Sequence, residues 1–465
     1  MRRIALLLLP LALTGCAVGP KYKRPTVDTP GTYRGETPIQ PTAAASPQSL
    51  GNEKWWEVFR DPVLQQLIRT ALQQNYDVQV AAARVLQAQA QLGITRADQF
   101  PKVGGGAELF SERNPKISSA FPSYQANAGE IALSVIWNLD FWGKYRRQSE
   151  AARANLLATQ WGQRAIFSSV VSSVASAYFQ LRELDLALEI SKSTLASRQN
   201  SLRLTNVLEQ NGSASLLDVR QSEELVYTAT ETIASLERQI AQQENFLGTL
   251  LGQNPGAIAR GKALTEQPML AVVPAGLPSE LLERRPDIQA AEQNLIAANA
   301  NIGVAKAAYF PNISLTGTAG FESYALTRLF TSSAGLWNAT GQLTQPIFEA
   351  GGLRSGLRLA RAQEEQMLLS YKQTIISSFQ QVSDALIAYQ KNREFREQQE
   401  QLTSAAKDAE HLSNVLYQHG GASYLQVLTA ETNSFTAQLN LAEAQLNERL
   451  ALVQLYNALG GGWQQ

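Results

Sequence analysis

Apolar residues return at helical spacing along two very long segments of the chain, about 145–209 and 353–417. From Val170 to Leu188 they step alternately by four and three residues, and the second segment repeats the pattern from Ile375 to Tyr389. This spacing is typical of a coiled-coil seam. At a rise of about 1.5 Å per residue, each segment predicts a helical rod of roughly 100 Å.

Stretches that precede the rods alternate instead between apolar and small polar residues. The pattern is clear in residues 312–321 and from Trp337 onward, and weaker in 131–137. Such alternation, with aromatic residues at the ends, is typical of transmembrane β-strands, although an ordinary half-buried hairpin fits it too. We therefore predict two β-hairpins, at about 103–138 and 312–347.

The chain contains an internal duplication. "NVLEQNGSASLLDV", residues 206–219, returns 208 positions later as "NVLYQHGGASYLQV", residues 414–427, with nine identical residues. Residues 77–101 align without a gap with 287–311, again with nine identities, and both end in Phe-Pro. Two copies of one unit therefore make up the body of the chain.

Each copy predicts the same order: an Ala/Gln-rich helix that stops at Phe-Pro, a β-hairpin, and a long helical hairpin. The predicted boundaries are a signal peptide, 1–15; an extended tether, 16–50; repeat 1, 51–252, with a helix at 62–99 and a helical hairpin at about 145–252; a linker, 253–280; and repeat 2, 281–462, with a helix at 286–309 and a helical hairpin at about 353–460.

The N-terminus has the charged start and short apolar run of a secretory signal, and ten apolar residues are too few to span a bilayer. The run ends in Leu-Thr-Gly-Cys16, which resembles a bacterial lipobox and would place a diacylglyceryl anchor on Cys16. Ala17 follows, which by resemblance to Gram-negative lipoprotein sorting favours the outer membrane. A signal peptide that merely contains a cysteine is the alternative. The proline-rich residues that follow predict an extended tether.

Composition excludes several classes of function. Forty basic and forty acidic residues balance, without long runs of one sign, so nothing favours nucleic acid. Cys16 is the only cysteine, and His411 and His419 are the only histidines. No nucleophile elbow, phosphate loop or zinc-ligand spacing is present. We expect no enzyme activity, no cofactor and no metal site.

Four membrane strands per chain have a quaternary consequence. An open sheet edge cannot remain in hydrocarbon, and closed barrels of this kind need at least about eight strands. Several identical chains must therefore share one barrel, and three chains would supply twelve strands.

The stretch "LPSELLERRPDIQAAEQNLIAANANIGVAKAAYFPNISLTG", residues 277–317, closely resembles the signature of the outer-membrane efflux protein (TolC) family, in its lipoprotein branch similar to OprM and NodT. "CAVGPKYKRP" and "LYNALGGGW", near the two ends, resemble the same branch. The resemblance covers essentially the whole mature chain. It implies an α+β membrane protein: a homotrimer with a twelve-stranded transmembrane β-barrel, four strands per chain, a long α-helical coiled-coil barrel, and a small equatorial domain to which we assign the 253–280 linker.

The resemblance also implies a function. The family's members are exit ducts of tripartite pumps, coupled through a periplasmic adaptor to an inner-membrane transporter, commonly of the resistance-nodulation-division class. We expect a lipid-anchored outer-membrane protein that extends into the periplasm and passively exports small molecules such as drugs or toxic compounds. Alternatives are a TolC-type duct for protein secretion and a non-conducting, lipid-anchored coiled-coil scaffold. The sequence identifies neither the exported substrates nor the particular adaptor and transporter.

The doubled loop is the predicted adaptor-docking site, because the family's periplasmic end meets the adaptor there. These residues, the docking tips, are Gly212, Ser213, Ala214, Ser215, Gly420, Gly421, Ala422 and Ser423. Turn geometry is the alternative explanation, since each glycine suits a helix end and each serine can cap the next helix. Ser-x-x-Gln fits a capping box directly and Ser-x-x-Asp loosely.

A predicted periplasmic aperture follows each tip. Leu425, Thr429 and Thr432 share one helix face, and Leu217, Gln221 and Glu224 are their equivalents in the first copy. In similar family members the leucine is usually followed by Asp and Arg, here replaced by the two threonines. A charge-locked gate is therefore in doubt, and whether the resting channel is sealed stays open. A solvated or packed helix face is the alternative. The Arg284-Arg285-Pro286-Asp287 motif predicts an architectural role.

Overall fold

The structure is a computed structural model of the 465-residue chain. It describes residues 17–35, 49–115, 124–267 and 273–464. The predicted signal peptide and Cys16 lie outside the described residues. Within those described ranges, none of the helices combines the length and the apolar character that a bilayer crossing requires.

The elements occur as two sets in the same order. The first set is α1 (Trp55–Val58), α2 (Pro62–Gln74), α3 (Tyr76–Ala97), β1 (Lys102–Asn114), β2 (Tyr124–Leu139), α4 (Lys144–Gln210) and α5 (Leu216–Leu250). The second set is α6 (Pro278–Arg284), α7 (Pro286–Ala307), β3 (Asn312–Ser323), β4 (Gly335–Thr344), α8 (Gly352–Gln418) and α9 (Tyr424–Ala458). Three pairs of matching helices have equal lengths: 22 residues in α3 and α7, 67 in α4 and α8, and 35 in α5 and α9.

The single helix predicted over 62–99 is wrong, because Asn75 divides it into α2 and α3. The Asn75 side-chain oxygen accepts the backbone N–H groups of Asp77 at 2.8 Å and Val78 at 3.2 Å, which starts a new helix. Its amide nitrogen donates to the carbonyl of Leu250 at 2.9 Å. One short polar side chain therefore ends one helix, begins the next and binds the end of α5.

The chain forms two compact units. One unit comprises Arg84–Gln160, Ala290–Lys372 and the N-terminal residues up to Thr26, and it contains an antiparallel sheet in the order β1-β2-β3-β4. The β2–β3 pairing joins the two sets of elements.

The strand register aligns the predicted apolar faces. Ile131 pairs with Phe321, and Ala319 pairs with Leu133 on one side and Trp337 on the other. Leu133 is 60% and Trp337 80% exposed. The sheet therefore presents apolar side chains to its surroundings, as the sequence alternation predicts.

In the same unit, part of the N-terminal tether packs onto α7. Arg24 binds the carboxylate of Glu292 through Nε at 2.9 Å and Nη2 at 2.5 Å, and Tyr22 donates to it at 3.0 Å. A Cβ added at Gly19 would come within 2.5 Å of the Gly303 Cα. Ion pairing and close backbone contact therefore hold the start of the tether.

The other unit, Val27–Ala83, Trp161–Gln289 and Gln373–Gln465, is helical and contains the largest core. Val170, Val174, Ala177 and Leu181 of the predicted seam are buried in it. The second seam likewise buries its residues, with Phe379 partly covered.

Asp61 is a fully buried carboxylate in this core. It accepts hydrogen bonds from the Tyr178 hydroxyl at 2.9 Å, the Gln267 amide at 2.7 Å, and the backbone N–H groups of Val63 and Lys262. Burial alone would raise its pKa, but these donors together hold the pKa below its usual value. Asp61 thereby caps α2 and binds the linker to the core.

The Arg-Arg-Pro-Asp motif lies between α6 and α7 in this helical unit. Arg285 contacts Asp287 with two nitrogens, the Gln381 side chain at 2.8 Å and the carbonyl of Ala458 at 3.1 Å. These contacts join the start of α7 to α8 and to the end of α9.

Candidate functional site at the helix-hairpin turns

The first docking tip is a closed helix end followed by a capped helix start. Gly212 has φ 74°, and its N–H bonds the carbonyl of Glu209 while Ser213 bonds that of Leu208, both at 2.8 Å. This pair of bonds around a left-handed glycine is a Schellman motif. A Cβ at Gly212 would meet no heavy atom within 4 Å, so the turn surface is open there.

The second docking tip has the same backbone. Gly420 has φ 73°, its N–H bonds the carbonyl of Tyr417 at 3.0 Å, and Gly421 bonds that of Leu416 at 2.8 Å. Of the eight tip residues, the two alanines are half-buried and the rest are exposed.

A capping box follows the glycine turn at both tips. In the first tip Asp218 accepts from the Ser215 N–H and hydroxyl, both at 2.8 Å, and its own N–H donates back to Ser215 Oγ at 3.2 Å. In the second tip the Ser423 N–H donates to Gln426 Oε1 at 3.0 Å. The first box differs in that the Asp218 carboxylate accepts two donors at once, the N–H and the hydroxyl of Ser215.

Exposed apolar residues next to both tips were missed in the sequence. Leu204 and Val207 near the end of α4 are exposed, and so are Leu412 and Val415 near the end of α8. The second pair stands 208 positions after the first, the same offset as the tips. That shared offset was the available signal for an apolar surface beside each turn.

The predicted aperture residues of α9 do share one exposed face. Leu425 is 62% exposed, and Thr429 and Thr432 are also exposed. Each threonine hydroxyl donates a hydrogen bond of 2.8 Å to the backbone carbonyl four residues earlier in its own helix. Their donors are therefore engaged within α9.

The first-copy positions do not form a matching set. Leu217 is 65% exposed, like Leu425, and Glu224 is exposed, but Gln221 is half-buried. Leu217 and Glu224 are therefore exposed like their counterparts Leu425 and Thr432, whereas Gln221 is more buried than Thr429.

A groove of about 740 Å³ runs between α8 and α9 beside the aperture face. Its lining is Leu402, Ala405, Ala406, Ala409, Leu425, Gln426, Thr429, Ala430, Asn433, Thr436, Ala437 and Asn440. Every lining residue is uncharged and most are small. The surface suits the close approach of another helix or passage of solutes without strong electrostatic preference.

A small core joins the two hairpins behind the tips. Tyr424, Val427 and Leu428 are buried together, with Leu225 and Tyr417 packed against them. The Tyr424 and Ser222 hydroxyls hydrogen-bond, which connects α9 to α5. The start of α9 is therefore held by both hairpins.

The family model described as "Outer membrane efflux protein" matches the chain over residues 67–253 and again over 277–461. The chain therefore belongs to the outer membrane efflux protein family. Its relatives include the cation efflux system protein CusC of Escherichia coli (strain K12), 36% identical over 454 residues, or 97% of this chain and 97% of that protein. The solvent efflux pump outer membrane protein SrpC of Pseudomonas putida is 37% identical over 461 residues, or 97% of this chain and 97% of that protein.

The fold is also that of solved outer-membrane channels. The open state of the Neisseria gonorrhoeae MtrE outer membrane channel superposes with a TM-score of 0.86 at 30% identity, covering 97% of this chain and 99% of that one. The relatives thus include components of both cation and solvent efflux systems.

Proposed function

We propose that this protein is the outer-membrane exit duct of a tripartite efflux pump and passively conducts small molecules out of the cell. The observation that carries the proposal is the combination, in one family member, of an apolar-faced antiparallel sheet with two helical hairpins built on 67-residue helices. Duct function requires no catalytic step. The chemistry of the exported compounds is open, since relatives serve cation and solvent efflux.

The four-stranded sheet supports a shared barrel. Among the described strands, β1 and β4 each have one neighbour, so each has a free edge. Backbone groups at such an edge cannot stay unpaired in hydrocarbon. Three chains would join β1 to β4 in a closed twelve-stranded barrel, continued by a trimeric barrel of helices. The matching helix lengths support an origin by duplication.

The docking tips are proposed to receive the adaptor, with the periplasmic aperture just behind them. Open space at Gly212 and the exposed apolar pairs beside each turn favour a protein partner. At the aperture we assign the constriction to Leu425, because the hydroxyls of Thr429 and Thr432 are engaged within α9. An inner-membrane transporter, of the resistance-nodulation-division class by family resemblance, would complete the pump.

Cys16 is proposed to carry the lipid anchor, and the 253–280 linker to contribute to an equatorial domain. The docked start of the tether, Arg24 on Glu292, supports an anchor that remains close to the sheet-containing unit.

Reconstitution in planar bilayers tests the duct. Purified protein should insert and produce discrete conductance steps, and a strain that lacks it should accumulate a pumped dye. A lipid-anchored scaffold would give no conductance, which would overturn the proposal. Replacing Ser213 with Trp should impair efflux in cells while conductance in bilayers persists, because only adaptor contact is altered; Glu189→Trp, at an exposed site on α4, is the control for bulk.

A further inference from the structure

The first turns of α9 bury one side of the helix, and a carboxyl group interrupts the buried stripe. The stripe consists of Tyr424, Val427, Leu428, Glu431, Ser434 and Phe435. Glu431 is 5% exposed and is absent from the aperture face, which lies on the exposed side. A change in the charge or contacts of Glu431 therefore affects α9, the helix that carries the proposed constriction.

Helix α4 contributes a cation to the same buried region. Arg198 is 2% exposed, donates from Nη1 to the carbonyl of Leu225 at 2.9 Å, and lies 4.9 Å from the ring centre of Phe435. Ser201, nearly one turn further along α4, donates to Glu431 Oε1 at 3.2 Å. The first hairpin thus meets the aperture helix through a cation and a hydroxyl.

These charges are incompletely satisfied. Among the residues that the structure describes, Arg198 Nε and Glu431 Oε2 are buried atoms without a hydrogen-bond partner. Burial lowers the pKa of Arg198 in spite of the nearby carboxylates of Glu431 and Glu410. Each buried polar atom left unpaired weakens the packing of the helices that enclose it.

The carboxyl group shows the same cost of burial. Burial raises the pKa of Glu431, and the Glu410 carboxylate on α8 adds to the rise, while Ser201, Arg198 and the Asn414 amide oppose it. The charged form is therefore less stable here than in water.

We propose that Arg198 and Glu431, two buried charges that each keep an atom without a hydrogen-bond partner and that we call the charge couple, keep the first turns of α9 movable against α4. The inference rests on the aperture proposed above. Buried ion pairs are often less stabilising than apolar side chains of similar volume, and moving elements come from regions of low local stability. The charge couple lowers the stability of the closed packing, in which the start of α9 lies against α4. Contact between the adaptor and the docking tips can therefore displace the start of α9, which carries the proposed constriction.

Replacing the couple with apolar residues should fix the helix. In the full chain, Arg198→Met combined with Glu431→Leu should slow hydrogen exchange across residues 424–437 by roughly tenfold and reduce the open probability in bilayers. Exchange that is unchanged or faster in the double variant would overturn the proposal.

A pH profile separates this role from simple packing. Because the pKa of Glu431 is raised, the closed packing is favoured when Glu431 is protonated and is weakened as the pH rises through that pKa. After correction for intrinsic rates, exchange at 424–437 should accelerate with pH in the wild type. Glu431→Gln, which keeps the shape but cannot ionise, should abolish this dependence, and Glu443→Gln, exposed on the same helix, should preserve it.

Different outcomes would refute the charge couple and the proposed duct function. A wild-type protein that does not conduct would refute the proposed function. A conducting wild type, with the same exchange and pH profile in Glu431→Gln and the double variant, would refute the charge couple and leave the duct intact.

Discussion

Glu183, half-buried on α4, has a strongly shifted ionisation. Burial and the Glu443 carboxylate raise its pKa to about 7. A raised pKa in the folded protein contributes stability below the unfolded value near 4.3 that is lost as the pH rises through about 7. Glu183→Gln should therefore raise the thermal midpoint at pH 8, corresponding to about 1 kcal/mol after solvent screening, and change it little at pH 4.

Thermal unfolding in detergent at the two pH values measures this effect. Glu189→Gln, at an exposed position on the same helix, should change neither midpoint. An equal gain at pH 4 and pH 8 would mean that something other than ionisation of Glu183 is responsible.

The docking-tip glycines are required by backbone conformation. Gly212→Ala and Gly420→Ala should each destabilise their turn by about 1–2 kcal/mol, because a Cβ is strained at φ 74° and 73°. Hydrogen exchange in the adjoining helix turns should then be faster. Gly421→Ala is the control, since its Cβ would make an ordinary 3.5 Å contact with Leu416. An equally large effect at Gly421 would contradict the backbone explanation.

For single residues, the sequence predicted the roles of the turn glycines and capping serines better than it predicted which distant residues a side chain contacts. The glycine turns and capping serines follow from local preferences, and the structure confirms their positions. The side chain of Asn75 also binds a carbonyl 175 residues away, and Arg198 contacts Leu225 on α5 and Phe435 on α9. Single-sequence patterns contain no information on such distant partners.

Among the elements, the N-terminal tether makes the most testable contact. Arg24 is half exposed while Glu292 is nearly buried, so the pair should hold the tether by about 1–2 kcal/mol. Glu292→Gln should speed tryptic cleavage at Lys21 and Lys23 by roughly 5–30-fold. Tyr22→Phe removes one of the hydrogen bonds to Glu292 and should have a smaller effect. Unchanged cleavage in Glu292→Gln would mean that other contacts hold the tether.

Element boundaries were predictable where one strong signal acted over many residues. Both rods begin and end within one residue of the predicted limits, because the coiled-coil spacing and the glycine turns agree. The β-hairpins were predicted from alternation, and the register adds that the two copies pair through β2 and β3. That pairing joins residues 174 to 194 positions apart, and nothing local in either strand specifies it.

For the whole molecule, the free edges of β1 and β4 predict how chains assemble. If β1 of one chain pairs with β4 of the next, cysteines scanned over 104–106 and 339–341 should form disulfides between chains. Oxidation should then give a ladder of disulfide-linked oligomers that stops at three chains. Ser134→Cys with Thr318→Cys is the matched control, because these residues already pair within one chain and should give only an internal bond. Variants with only one introduced cysteine should give no ladder.

The number at which that ladder stops distinguishes the possible assemblies. A ladder that ends at three is required for twelve strands, since each chain supplies four. Internal β1–β4 disulfides in a monomer would mean that one chain closes its own sheet, although four strands are far fewer than the roughly eight that a closed barrel needs. Ladders that continue past three would indicate edge-to-edge association without closure. Because the apolar face of the sheet needs a closed hydrogen-bond network before it can lie in hydrocarbon, either of these results would remove the physical basis for the duct.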